Sequence, residues 1–322
     1  VSAQPDSGSR SAARSRGLGM LGAVVVGVVL AVQSRLNGAL GAQLHDGLAA
    51  ALISFGSGLV VLLIATSFMP VARAGLRAVR DALRGGGLRW WQCLGGVAGG
   101  FLVFGQGLSA AALGVALFTV AVVAGQVGSG LVVDRVGLGP AGPQRVTSPR
   151  VVGAVLAVIA VLVAVWDELT GSGASWLILV PALAGIGVAW QQAVNGRVKQ
   201  TAGSPAAAAV INFGVGAVGL LLAWLVEVAA RGLPSGLPAQ PWLYIGGVLG
   251  IFVIGGAAAL VHRTGVLVLS MGMVAGQLLG ALLLDLFVPA PGTAVPVTTV
   301  IGVGLTFVAV AVASIPDRTA RA

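Results

Sequence analysis

The chain has 322 residues, 57% of them hydrophobic and only 8% charged, with a mean hydropathy of +1.02 and a formal charge of +9. A water-soluble domain carries about a quarter charged residues, so this chain has too little polar surface to clothe a globule in water and is expected to be an integral membrane protein. The basic surplus then bears on membrane orientation and is no sign of a nucleic-acid partner, which is not expected, and the single cysteine, Cys93, excludes a disulfide framework and CxxC metal or redox sites.

In chain order, ten apolar runs are long enough to span a bilayer core of about 30 Å as helices: approximately 18–41, 48–70, 91–111, 114–133, 150–166, 175–196, 205–226, 242–261, 265–286 and 296–314. They are apolar on every face, as in Val24-Val25-Val26-Gly27-Val28-Val29-Leu30, which separates them from the alternating strands of a barrel. With a cytoplasmic N-terminus, 16 of the 18 basic residues fall on the inner side, including Arg10, Arg14 and Arg16 before the first run and Arg73, Arg77, Arg80, Arg84 and Arg89 after the second. The positive-inside rule therefore places both termini in the cytoplasm. Trp90, Trp91, Trp166, Trp176, Trp224 and Trp242 fall near span ends, as an interfacial aromatic belt requires; Trp190 does not.

The chain repeats itself. Shifted by 158 residues, Ala31–Gly58 lies over Ala189–Gly216 with 11 of 28 positions identical, and a shift of 151 lays Gly114–Asp134 over Gly265–Asp285 with eight of 21 identical. The first apolar run resembles a secretory signal, but it has a counterpart in the sixth and is expected to be part of the fold. Because each copy holds five helices, an odd number, the second enters the membrane from the opposite side. The expected fold is thus all-α integral membrane, ten transmembrane helices in two inverted-topology five-helix repeats, the usual basis of alternating access. The expected organisation is a disordered cytoplasmic N-terminus (1–16), a first repeat (17–166), an external linker (167–174), a second repeat (175–315) and a cytoplasmic tail (316–322).

Three linked motifs recur in both copies: Gln-x-x-x-Asn-Gly in the first helix (Gln33, Asn37, Gly38; Gln191, Asn195, Gly196), Ser/Asn-Phe-Gly-x-Gly in the second (Ser54 to Gly58; Asn212 to Gly216), and Gly-Gln with Asp eight residues later in the fourth (Gln126 and Asp134; Gln277 and Asp285). In these the chain resembles the YdcZ-type family of the drug/metabolite transporter superfamily, the EamA-like ten-helix transporters. The resemblance implies an inner-membrane exporter with a central cavity between its halves. The membrane-embedded glutamate of the small multidrug relatives' first helix is missing, since 18–41 holds no acidic residue, so their proton-antiport mechanism does not carry over.

Gln33 and Asn37 are four residues apart and share a helix face, as do Gln191 and Asn195. Asn37 and Ser54 are expected at similar depth on adjacent antiparallel helices, and Asn195 and Asn212 likewise, so each hairpin is expected to close a supporting polar contact, worth roughly 0.6–2 kcal/mol as interhelical glue. Gln126 and Gln277, near mid-span, are candidate central substrate ligands, with a hydrogen bond to neighbouring backbone as the alternative. Trp190, beside Gln191, is a candidate to stack on substrate or to pack against lipid. Asp134 and Asp285 fall at opposite ends of their spans, either as gating or protonatable carboxylates or as interfacial acids bound to backbone or to an arginine such as Arg135. Arg35 cannot share the face of Gln33 and Asn37; snorkelling to the outer interface competes with binding an anionic substrate.

No Walker A motif, HExxH or dinucleotide fingerprint is present, so neither ATP drive, a resident metal or other cofactor, nor enzymatic chemistry is expected. The expected function is a secondary transporter exporting a small neutral, zwitterionic or amphipathic metabolite or drug, against a non-transporting scaffold that keeps the fold. Expected partners are the small-molecule substrate, a coupling proton or ion, and anionic lipids beneath the Arg73–Arg89 segment, with the chain as a monomer or homodimer.

Overall fold

The computed structural model describes residues 7–140, 142–164, 166, 175–233, 236–289, 295–313 and 315. The external linker expected at 167–174 and the tail at 316–322 lie outside these. Among the described residues the regular structure is helical: α1 (Ser7–Leu44), α2 (Gly47–Ser67), α3 (Pro70–Arg84), α4 (Gly95–Gly105), α5 (Val115–Val136), α6 (Ser148–Ala164), α7 (Leu179–Ala202), α8 (Pro205–Arg231), α9 (Gly246–Phe287) and α10 (Val297–Ala313). Helical backbone begins at Ser7, ahead of residue 17 where the first repeat is expected to start. Seven stretches are long and apolar enough to cross a membrane, and three shorter apolar helices, Ser148–Ala164, Pro241–Ala257 and Val297–Ala313, accompany them.

Local chemistry sets the turns. The first hairpin turns at His45, held at φ 51°, and Asp46 caps α2 by accepting a hydrogen bond from the Ala49 amide at 2.7 Å. The hairpin between α7 and α8 uses the counterpart residues: Gly203 at φ 60°, then Ser204 accepting from the Ala207 amide at 3.3 Å, with Pro205 opening α8. In the first half α4 leaves through a π-helical turn, Gln106–Ala110, and the chain breaks at Gly114, φ 80°, a conformation that glycine adopts without strain.

The second half joins the corresponding segments differently. The helical backbone of α9 is unbroken for 42 residues, which would reach about 63 Å if straight, twice the bilayer core. Its contacts with α1 show that it is not straight. Gly246, Gly250 and Gly256 sit against Asn37, Gln33 and Val26, so this arm runs antiparallel to α1; Gly272, Gly276 and Gly280 sit against Ala23, Val24 and Val28, so the later arm runs parallel to it. The chain therefore reverses between Leu260 and Gly272, and the spans expected at 242–261 and 265–286 are the two arms of one bent element.

The packing is that of a protein whose solvent is lipid. On α6 the residues turned inward are Gly153, Ala154, Ala157, Ala160 and Ala164, while Val155, Ile159 and Leu162 are exposed. Hydrocarbon offers no hydrophobic drive for helices to associate, so small inward residues let backbones approach and bring dispersion contacts into play. The closest approaches are reciprocal. A Cβ at Gly27 would strike the carbonyl of Met273 and one at Gly276 that of Val24; in the opposite pairing, a Cβ at Gly185 would strike the carbonyl of Val122 and one at Gly125 that of Ala182. Gly96 meets the Asn212 carbonyl and Gly247 that of Ser54; Gly153 meets α10 and Gly302 meets α6. Each contact recurs with the two halves of the chain exchanged. On the axis of that exchange, Phe55 and its counterpart Phe213 stack with ring centroids 4.9 Å apart.

Outside the bundle, α3 buries Ala72, Gly75 and Val79 and turns Arg73, Arg77, Arg80 and Arg84 outward; Gly75 abuts Ala202, Ser204 and Ala207 at the hairpin of α7 and α8. The glycine contacts predict unequal tolerance to substitution. Gly125→Val and Gly185→Val are expected to cost at least the ~1–3 kcal/mol of overpacking and to lower the unfolding temperature in detergent. Gly128→Ala, where a Cβ meets nothing within 4 Å, is expected to leave it unchanged or higher by scanning fluorimetry.

Candidate substrate cavity

A cavity of about 420 Å³ lies between the halves, within the range of small-molecule sites. Its polar lining is Gln33 from α1, Gln191, Gln192, Asn195 and Lys199 from α7, and Asn212 from α8; the Phe55 and Phe213 rings and aliphatic side chains such as Leu102, Val103, Val188, Val253 and Ile254 supply the rest. The elements place these groups simply. Residues 191, 195 and 199 follow a four-residue spacing along one face of α7, and α8 returns beside it after the Gly203 hairpin, bringing Asn212 to the same depth.

The amides form a tight set. The Oδ1 atom of Asn212 accepts from Gln191 Nε2 at 3.0 Å and from Asn195 Nδ2 at 2.9 Å. The expected contact between Asn195 and Asn212 is therefore made, with Gln191 joining it. Next to this set, Gln126 Nε2 donates to Gln192 Oε1 at 3.2 Å, so Gln126 meets a cavity residue without lining the cavity itself.

In the first half the counterpart of Gln191, Gln33, also reaches the cavity, but that of Asn195 is shut away from it. Asn37 is fully buried, and its Nδ2 donates to Gln106 Oε1 at 2.7 Å, whose Nε2 in turn donates to Ser34 Oγ at 2.9 Å. Gln33 Nε2 donates to the Gly246 carbonyl at 3.0 Å. The expected hydrogen bond between Asn37 and Ser54 is not made: Gln106, displaced inward by the π turn, offers a nearer acceptor, and both Ser54 Oγ and Asn37 Oδ1 are buried without a partner. The C-terminal end of α1 is sealed as well, since Gly41 leaves no room for a Cβ against the Gly107 backbone.

The remaining candidates are structural in their geometry. Gln277 is buried beside Gly27 and is not among the cavity residues, which take Met273 from that arm; a residue every turn along α9 faces α1, and Gln277 falls on that packed stripe. Trp190 is half-buried and is not among the cavity residues. Asp134 pairs with Arg150 of α6, not with its neighbour Arg135, which leaves on the next 100° step of the helix. Asp285 accepts from the Ala116 amide at 2.6 Å, neutralising the positive end of α5, and faces Arg35 at 3.7 Å. Arg35 also donates to the Val288 carbonyl just past α9 and is not among the cavity residues. In the other half Arg197 does the same service for the end of α5, donating Nε to Leu138 at 2.9 Å and Nη2 to Gly137 at 3.0 Å. Among the described residues no group of His, Cys, Asp and Glu is arranged to hold a metal.

Ser34, Gln106, Gln192 and Lys199 are the polar groups of the site that the repeat analysis passes over, because their counterparts Gln192, Ala257, Ser34 and Gly41 differ from them. Gln106→Ala would strand the Asn37 amide and the Ser34 hydroxyl in a dry environment and is expected to cost about 1–3 kcal/mol. Asn212→Ala, beside an open cavity where water can replace the lost partner, is expected to cost less. Thermal unfolding of both variants in detergent measures the order.

Comparison with known proteins agrees with this architecture. A family model described as "Putative inner membrane exporter, YdcZ" matches residues 18–163 and again 176–312, once over each half. Among curated proteins no match is found. A solved structure, described only as the crystal structure of a protein, superposes with a TM-score of 0.55 at 19% identity, covering 96% of this chain and 99% of its own, a likeness of fold alone. With two successive matches that together take in nearly all of its helices, the chain belongs to the YdcZ family of inner-membrane exporters of the drug/metabolite transporter type.

Proposed function

We propose that the protein is a secondary transporter that moves a small molecule out of the cell by alternating access, with ten membrane crossings arranged as two inverted five-helix repeats, 17–166 and 175–315, and both termini in the cytoplasm. The observation that carries this reading is the unequal state of equivalent positions. Asn195 faces an open cavity, whereas its counterpart Asn37 is fully buried under a hydrogen-bonded seal. With the N-terminus inside, the open end is the cytoplasmic one, so this is the inward-facing form. Exchanging the conformations of the halves would open the Asn37 side and close the Asn195 side.

Gln33, Gln191, Gln192, Asn195 and Asn212 serve as substrate ligands, with Gln126 holding Gln192 in place. The Asn37–Gln106–Ser34 seal is the outer gate. It must be weak enough to break: two amide and hydroxyl contacts of about 0.6–2 kcal/mol each lie within reach of substrate binding and a coupling ion, whereas a buried ion pair would not. Asp134 and Asp285 remain beside the gates as holders of helix ends, and the arginine face of α3 rests on anionic lipid of the inner leaflet.

Cysteine accessibility tests this. In a Cys93→Ser background, Ala209→Cys, in the cavity, is expected to react with a membrane-impermeant maleimide from the cytoplasmic side. Its counterpart Ala51→Cys, now buried, is expected to react from the outside, slowly in the resting protein and faster when the inner mouth is held shut. A scaffold with a fixed fold would leave Ala51→Cys unreactive under every condition.

A further inference from the structure

We infer that the cavity receives an amphipathic organic anion, with Lys199 and the Asn212 amide as the receptor for its acidic group. The inference rests on the transporter reading above and adds a substrate class to it.

Lys199 is the single lysine of the chain and the one ionisable residue in the cavity lining. Among the described residues no acidic side chain is paired with it. Of the five acids within the described residues, Asp81, Asp134, Glu227 and Asp285 are paired with Arg80, Arg150, Arg231 and Arg35. The fifth, Asp46, is engaged with the Ala49 amide and with Trp224 Nε1 at 3.1 Å. Arg197, two residues from Lys199, is committed to the carbonyls that end α5. Lys199 thus lines a largely apolar cavity with no acidic partner among the described residues.

The amides lean the same way. Asn212 Oδ1 spends its acceptor capacity on Gln191 and Asn195, which leaves the Asn212 amino group with no acceptor among the described residues. A site with spare N–H donors and a cation selects carboxylate, phosphate or sulfonate oxygens and disfavours an ammonium. The aliphatic wall of Leu102, Val103, Val188, Val253 and Ile254 takes a hydrocarbon body. The charge is also one-sided: Gly41 stands in the position of Lys199 in the other half, packed on Gly107. An anion is therefore drawn to the inner mouth and meets no matching cation once the outer mouth opens, an order that suits release outward.

The test uses the full chain in phosphatidylcholine nanodiscs and three probes sharing one body: naphthaleneacetate, naphthaleneacetamide and naphthylethylammonium. Calorimetry is expected to show the acetate binding about tenfold more tightly than the acetamide, with the ammonium weakest. Lys199→Gln is expected to remove the acetate preference while acetamide affinity stays, which shows the variant folded. Equal binding of acetate and acetamide to the parent protein, or an acetate preference that survives Lys199→Gln, overturns the inference and leaves the transporter reading intact. A preference that vanishes when the lipid is replaced by phosphatidylglycerol assigns Lys199 to a lipid phosphate and likewise overturns it. Failure of all three probes to bind, together with an unreactive Ala51→Cys, overturns both readings.

Discussion

The structure depends on backbone meeting backbone. Inside a bilayer the hydrophobic effect does not distinguish a helix buried in protein from one buried in lipid, so cohesion must come from contact at short range. Gly27 with Gly276, and Gly125 with Gly185, provide it at the two places where the first helix of one half lies on the fourth helix of the other. These joints tie each half to its partner more closely than to itself. The cavity follows from this, because α7 and α8 are held at their crossings with α5 and α4 while the space between them and the first arm of α9 is left to side chains.

Most of the amides within the spans gather at the cavity and at its sealed counterpart, with Gln277 the exception on the packed stripe between α1 and α9, and the ionised groups serve helix ends: Asp46, Asp285, Arg197 and Arg35 each satisfy backbone groups that lipid could not. This division explains why a chain with so few charges still carries arginine and aspartate near its spans. Removing them would expose unsatisfied N–H and carbonyl groups at the points where helices stop.

Much of this was legible in the residues. Apolar runs located the apolar helices, most ends to within a few positions, although α1 begins at Ser7 and α7 runs on to Ala202, and the duplication paired Gln33 with Gln191 and Phe55 with Phe213. The hairpin contact of Asn195 with Asn212 also followed from spacing. Its twin, Asn37 with Ser54, did not hold, because a π turn in α4 is not encoded in periodicity and it presents Gln106 instead. A search for what the two halves share is blind by construction to what makes them differ. Ser34, Gln106 and Lys199 lack counterparts of the same type, and they distinguish the sealed end from the open one. Likewise the turn at Gly114 could be read from its glycine, whereas the equivalent Gly265 lies within continuous helical backbone.

The stacked pair Phe55 and Phe213 has a further meaning. In the proposed cycle a residue far from the axis of exchange has a distant counterpart, and the two would trade environments as the halves trade shapes. Residues that touch across the axis would trade places only with each other. Their contact would look the same before and after, a fulcrum for closing one mouth as the other opens. Each ring also fills the gap left by a glycine of the opposite half, Gly216 for Phe55 and Gly58 for Phe213, so both halves bear on the same contact.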